Sequence, residues 1–327
     1  MQKNNDRTAV IFDHDGGIDD LLSLVLLLSM DHVDVLGVTI TPADCYPDDA
    51  LLSTLKILSL TGNQSIPVAV GNKVGPNPFP PDWRAQPRVC HSMPAMLRVE
   101  ETRGNVSALP ADEWMVHFLK QSAVSVTVLM TGPCTNLAHA LDACPSIAEK
   151  IDRVVWMGGA VDVKGNVAMH DHDGTAEWNA YWDPLATHQL ISSGVSVLMV
   201  PLDATNALPV NRAFLTQLAK VGTEVSDLAG QFWAATVTAI PAYEFTYFLW
   251  DILATAVMGL PSSAITVTSG SIAVSVQTPN AGETYRAANG EGNTVQWVSS
   301  VDADLVRNYV ISQFSRPFSA FTAENVS

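Results

Sequence analysis

From Val10 to Asp20 the chain reads VIFDHDGGIDD, which sets Asp13, Asp15, Asp19 and Asp20 around a pair of glycines. Carboxylates packed this closely repel one another and raise one another's pKa unless a cation neutralises them. A donor set made only of oxygens selects a hard ion, Ca2+ or Mg2+, over a soft transition metal. Such an ion acidifies a water, so the chemistry these residues indicate is hydrolysis. Asp19 and Asp20 could instead cap a helix while Asp13 and Asp15 stay solvated, but four acids at a strand end exceed what capping needs.

The elements that must hold the acids are legible around them. TAVIFD (Thr8 to Asp13) is a β-rich apolar run, and Asp19-Asp20 opens an apolar stretch through Met30 that predicts a deeply buried helix. Val33 to Thr41 reads as the next strand and Leu51 to Leu60 as the next helix. Val124 to Met130, Arg153 to Met157 and Val195 to Val200 are further β-branched runs, each followed by a turn and a helical pattern. Continuously apolar strands alternating with helices imply an α/β fold, a mostly parallel central sheet of the Rossmann-like open kind flanked by helices. In such sheets ligands bind beyond the carboxyl ends of the strands, where Asp13, Asp15, Asp44, Thr131, Met157 and Asp203 fall. From Ala264 to Ser300 shorter strands and Gly/Asn turns predict a small antiparallel appendage. No linker, repeat or low-complexity segment divides residues 1–327, and a single domain is expected.

Composition narrows the partners. Of 327 residues, 47% are hydrophobic and 15% charged, ample for a large core. Acidic residues outnumber basic ones 33 to 17, for a net charge of -16, and that field repels nucleic-acid backbones and anionic lipid. A neutral small substrate or a cation remains compatible. The four cysteines are widely spaced and suit a reducing compartment. A polar N-terminus and no long apolar run make the cytoplasm the expected location, with no membrane.

Two families share the opening letters. VIFDHDGG is close to the hhhDxDG[TS] start of haloacid-dehalogenase-type phosphatases, but Gly17 stands where their Thr or Ser is expected, and they do not need Asp19-Asp20. D-x-D-x-x-x-D-D at the first strand end resembles nucleoside hydrolases, which cleave the N-glycosidic bond of ribonucleosides. TGPCTN (Thr131 to Asn136), VVWMGGAV (Val154 to Val161), GNV (Gly165 to Val167), AEWN (Ala176 to Asn179), DATN (Asp203 to Asn206) and WD (Trp250-Asp251) stand in that family's order. In detail the chain is similar to the purine-specific branch of protozoan type, which prefers inosine, adenosine and guanosine.

The resemblance implies roles. Asp15, Asp20, Asp251 and the main-chain carbonyl of Thr131 would hold Ca2+, with the ribose cis-diol and a water completing its shell. Asp15 would also take the water's proton, and attack at C1′ opposite the base would invert configuration. Asp13 would orient the others. Asp19 and Asn179 would bind ribose hydroxyls, Glu177 and Asn166 the 5′-hydroxyl, and Met157 would touch the sugar. The purine would lie between Trp83 and Trp250, its edge bonded by Asp44, and stacking would make N7 basic enough for solvent to protonate. Less specific relatives carry His where Trp250 stands, which favours purine over uridine. Some purine-specific relatives carry Asn where this chain has Gly17, which leaves the fine base preference open. A homodimer is the family expectation.

Other signals carry less. His170 and His172 in MHDHDG form an HxH without further fixed ligands, so this segment reads as flexible cover over the site. Gly158-Gly159 reads as a tight turn. A metal-dependent phosphatase, a catalytically silent nucleoside-binding protein and a phosphorylase remain the competing classes.

Overall fold

The computed structural model describes residues 7–81, 84, 90–100, 104–237, 246–288 and 291–321. Thr8–His14 forms β1, and its alternation is functional on both sides: Val10 and Phe12 face one core layer while Ile11 faces the other. Helix α1 (Ile18–Leu28) follows at once. Asp19 and Asp20 lie in its first turn, where the helix dipole favours negative charge, and Asp20 accepts the Gly17 N–H at 2.8 Å. Leu21 through Leu27 are buried, so α1 is enclosed nearly all round, as its unbroken apolar sequence requires.

Strands β2 (Val33–Ile40), β3 (Pro67–Val70), β4 (Asn105–Val106), β5 (Val126–Met130), β6 (Ile151–Met157), β7 (Val197–Val200), β8 (Ile265–Val274), β9 (Thr284–Arg286) and β10 (Asn293–Val301) complete one ten-stranded sheet. Its order is β4-β3-β2-β1-β5-β6-β7-β10-β8-β9. From β4 to β10 every neighbour is parallel, and β8 and β9 close that edge antiparallel. The expected antiparallel appendage is therefore continuous with the main sheet: β10 pairs Gln296 with Leu198 and Trp297 with Met199 of β7. Strand β5 begins at Val126 rather than Val124, because Val124 is exposed and gains nothing from the sheet.

The helices sort by face. Helices α2 (Pro47–Leu60), α7 (Arg212–Val221), α8 (Glu224–Val237), α9 (Trp250–Ala256) and α10 (Ala303–Phe314) join α1 on one side. Helices α3 (Ala111–Gln121), α4 (Thr135–Ala143) and α6 (Pro184–Ser192), with the short α5 (Trp178–Trp182) before the last, belong to the other. After β1 the sheet grows toward β2, and after β5 toward β6. The chain thus departs in opposite directions from the β1/β5 pair, which opens a crevice at their carboxyl ends. All four cysteines are free. Among the described residues no helix is long and apolar enough to cross a membrane.

Because Leu24 of α1 is fully enclosed in the core, Leu24→Ala leaves a buried cavity there. We expect a loss of about 2–5 kcal/mol, read as a lower urea midpoint at unchanged slope.

Candidate active site

The site is built up from Asp13, the last buried acid of β1. Its Oδ1 accepts the Thr39 hydroxyl at 2.8 Å and the Asn136 amide at 2.9 Å, and Thr41 Oγ1 donates to its Oδ2 at 3.2 Å. The Asp13 carbonyl accepts the Thr131 N–H at 2.9 Å. One residue thereby fastens β1 to the end of β2 and to the turn between β5 and α4. Burial pushes the Asp13 carboxyl up to about 7 despite these donors. It lies beneath the cavity and does not line it.

Above it four more acids converge. Asp15 Oδ2 accepts the Asp44 N–H at 3.2 Å. A Cβ at Gly132 would come within 3.0 Å of the Asp15 side chain, which explains the glycine of TGPCTN. Asp20 accepts the Thr131 hydroxyl, so the start of α1 and the end of β5 share one hydrogen bond. Asp19 Oδ1 accepts the Tyr247 hydroxyl at 2.6 Å, and Asp251, in the first turn of α9, arrives beside it. The ligand atoms of Asp19, Asp20 and Asp251 lie within 4.8 Å of one another. Asp15 is joined to that trio through Asp20. The resemblance assigns Asp15 to the metal and Asp19 to ribose, and both stand at this cluster, Asp15 against Asp20 and Asp19 against Asp20 and Asp251.

Electrostatics say what the cluster fits. Burial, then the charges of Asp20 and Asp44, hold the Asp15 carboxyl well above its usual range. Burial, then Asp19, Asp20 and Asp15, do the same to Asp251, and Asp19 is pushed up to about 6 by burial and then Asp20. Enclosed carboxylates that cannot all ionise unaided form an oxygen-only donor set that a hard divalent cation fits. The Thr131 carbonyl accepts the Asn179 amide at 2.8 Å and keeps a second lone pair.

The acids form one wall of a cavity of about 790 Å³. Asp15, Asp19, Asp20, Asp44, Thr131, Met157, Asn166, Glu177, Asn179, Trp250 and Asp251 all line it, although they come from segments spread over most of the chain. Trp83 lies outside the described residues. Glu177 caps α5, accepting main-chain N–H groups from Gly159 at 3.0 Å, Asn179 at 2.9 Å and Ala180 at 3.2 Å. Burial pushes it up to about 7. AEWN is thus both a helix start and a cavity wall, with Asn166 Oδ1 accepting the Trp178 N–H at 3.1 Å. Trp250 meets Tyr247 edge-on at 4.8 Å.

Several lining residues were not anticipated: Phe79, Arg84, Trp178, Trp182, Asn206, Tyr247 and Phe248. Tyr247 lies in the segment just before α9, and its bond to Asp19 is long-range, so no local spacing signals it. At Gly17 a Cβ would sit 2.7 Å from Asp44 Oδ2 and 2.8 Å from Asp20 Oδ2, so any side chain there requires those carboxylates to move. Asp203 lies outside the cavity and accepts the N–H groups of Val161 and Asp162. The MHDHDG segment is pinned rather than an open cover: His172 Nε2 meets the Ala281 carbonyl at 2.9 Å, and its Nδ1 accepts the Gly174 N–H.

Asp13, Asp19 and Glu177 bind protons more tightly folded than unfolded, so cation-free protein loses stability as pH rises from about 4 to about 7. Thermal melts after chelation should show that fall. A divalent cation at one fixed concentration, a hundred times its Kd at pH 7.5, should restore about 2.7 kcal/mol there, with a smaller rise in Tm at pH 5, where protonated carboxylates weaken binding. Equal shifts at both pH values would contradict the electrostatic account.

Comparison with known proteins agrees with this geometry. Residues 10–308 match the family model described as inosine-uridine preferring nucleoside hydrolase. A pyrimidine-specific ribonucleoside hydrolase, RihA, from Citrobacter koseri is 32% identical over 224 residues, covering 68% of this chain and 69% of that protein. A crystal structure of an inosine-uridine preferring nucleoside hydrolase from Bacillus anthracis superposes with a TM-score of 0.87 at 36% identity, covering 94% of this chain and 99% of that one. A purine-preferring ribonucleoside hydrolase from Gardnerella vaginalis gives a TM-score of 0.78 at 25% identity, over 94% and 98% of the two chains. A fold with its crevice at β1/β5, a buried acid cluster in that crevice and these matches lead to one conclusion: the chain belongs to the inosine-uridine preferring nucleoside hydrolase family.

Proposed function

We propose that this protein hydrolyses the N-glycosidic bond of purine ribonucleosides to free base and ribose, as a Ca2+-dependent enzyme of purine salvage. The observation that carries the reading is one cavity in which the carboxylates of Asp15, Asp19, Asp20 and Asp251 share the space with the indole of Trp250. Acids at one wall suit a polar, diol-bearing sugar, and aromatic faces suit a flat heterocycle.

Asp15, Asp20, Asp251 and the Thr131 carbonyl would hold the Ca2+, which when bound supplies an acidified water and a grip on the 2′,3′-diol. Asp15 takes the proton of the attacking water as general base. Asp19 and Asn179 bind ribose hydroxyls. The Asn179 amide N–H groups are committed to the carbonyls of Thr131 and Met157, at 2.8 and 3.0 Å, so its Oδ1 is the atom left to accept from the sugar. Glu177 and Asn166 take the 5′-hydroxyl and Met157 packs on the sugar. Trp250, with Trp83, stacks on the base and Asp44 bonds its edge. Asp13 orients the cluster from beneath.

The relatives' names point to different bases, pyrimidine for the Citrobacter koseri protein and purine for the Gardnerella vaginalis one. Support for purine here is the aromatic group of Tyr247, Phe248 and Trp250 on the cavity wall. A homodimer and a cytoplasmic location go with this reading.

Incubation with inosine, guanosine, adenosine and uridine, with and without phosphate and chelator, tests it. Free purine and ribose formed without phosphate and suppressed by chelator are expected. Phosphate-dependent release would indicate a phosphorylase, and intact inosine with stoichiometric protein a silent binder. Asp15→Asn should lower kcat by about 10²–10⁴-fold with a smaller change in KM. Trp250→Ala should lower kcat/KM on inosine by about 10-fold and far less on 4-nitrophenyl riboside, whose leaving group needs no stacking.

A further inference from the structure

Heterolysis of the glycosidic bond sends an electron pair onto the base, and this cavity is a poor place to put it. Asp15, Asp19, Asp20, Asp44, Glu177 and Asp251 all line it, whereas Arg84 is the one cation among its described lining residues. Negative charge developing beside carboxylates in an enclosed space is opposed by Coulomb repulsion that water screens only weakly. Arg84 is held where it can answer that charge. Its Nη1 donates to the Ala43 carbonyl at 3.4 Å, and its guanidinium lies over the Tyr46 ring at 5.0 Å. Both contacts fix it in the segment that carries Asp44, and the first occupies one of five N–H donors.

A guanidinium fork also reads the base. A 6-oxopurine presents O6 and N7 as adjacent acceptors, which match two parallel N–H donors, while adenine replaces O6 with an amino donor that opposes one of them. A carboxylate in the same cavity sharpens the contrast, since N1 of a 6-oxopurine bears a proton for Asp44 to accept and N1 of adenine does not. A pyrimidine has no imidazole edge to offer.

Resting on the nucleosidase reading above, we propose that Arg84 is a specificity-determining and leaving-group-stabilising residue and that the preferred substrates are 6-oxopurine ribonucleosides. In the reacting complex the water oxygen bonds to C1′ as the C1′–N9 bond breaks. The water proton passes to the Asp15 carboxylate, and the bonding pair goes to the base. Its charge, spread over N9, N7 and O6, is opposed by the Arg84 guanidinium, which keeps its own protons and whose N–H at N7 takes the place of the proton that stacking alone would draw from solvent. The base takes a proton from solvent as it is released.

The test measures kcat/KM for inosine, guanosine, adenosine, uridine and 4-nitrophenyl riboside with the parent enzyme, Arg84→Ala and Arg84→Lys. The parent is expected to prefer inosine and guanosine to adenosine. Arg84→Ala should lower the inosine-to-adenosine ratio about 10- to 100-fold and leave the nitrophenyl substrate little changed. Arg84→Lys, which keeps the charge and loses the fork, should recover rate on every nucleoside without recovering the ratio. A parent that prefers adenosine, or an Arg84→Ala loss equal on all five substrates, overturns the proposal and leaves the purine nucleosidase reading standing, whereas a parent that prefers uridine overturns the proposal and the purine part of that reading. A parent that cleaves no nucleoside overturns both.

Discussion

The structure depends on a buried electrostatic conflict. Asp13, Asp15, Asp19, Asp20 and Asp251 are enclosed at the same end of the sheet, where ionised carboxylates are costly alone and more costly together. Asp13, Asp15, Asp19 and Asp20 are held by the hydroxyls of Thr39, Thr41, Thr131 and Tyr247, the Asn136 amide, and the N–H groups of Gly17 and Asp44. None of those donors carries a full positive charge. The charge must come from outside the chain, and a cluster built this way is a socket for a cation rather than a solvated acidic patch.

The topology makes the socket possible. Parallel strands require crossover connections, and the crossovers on either side of β1 and β5 leave in opposite directions, so their carboxyl ends stand open side by side. Asp15 and Thr131 follow those two ends. The start of α1 adds Asp19 and Asp20, and α9 brings Asp251 in from the far end of the chain. Asp13 couples the parts, since its three side-chain donors tie β2 and α4 to β1 and its main-chain carbonyl ties in the end of β5, at the place where the ligands must register. The same cavity continues from the acids to the rings of Trp178, Trp182 and Trp250, so polar and aromatic walls meet over one small volume.

Much of this was legible in the residues. Apolar runs of strand length alternating with helical patterns specify the layers because a parallel sheet covered on both faces has no solvent side to encode. The aspartate spacing announced a cation because few other arrangements tolerate it. Linear spacing cannot say which carboxylates converge, and the structure brings the ligand atoms of Asp19, Asp20 and the distant Asp251 within 4.8 Å of one another. Likewise AEWN could be a helix start or a binding wall, and Glu177 is both, because a cap's oxygens and a cavity wall occupy the same end of a helix.

Taken by itself, the amino-acid sequence determined the fold class, the oxygen-only chemistry and the family pattern, since these are written in local periodicity and in residue types whose chemistry does not depend on context. Tertiary structure alone decided the long-range terms. It joined Asp251 and Tyr247 to Asp19, set Asp13 below the cavity instead of within it, tied Gly17 to the place of Asp44, pinned His172 away from any ligand role, and put Arg84 among six carboxylates. The physical reason is that pairing energies between side chains fall off within a few ångströms, and which residues come that close is fixed only when the sheet and its crossovers have closed.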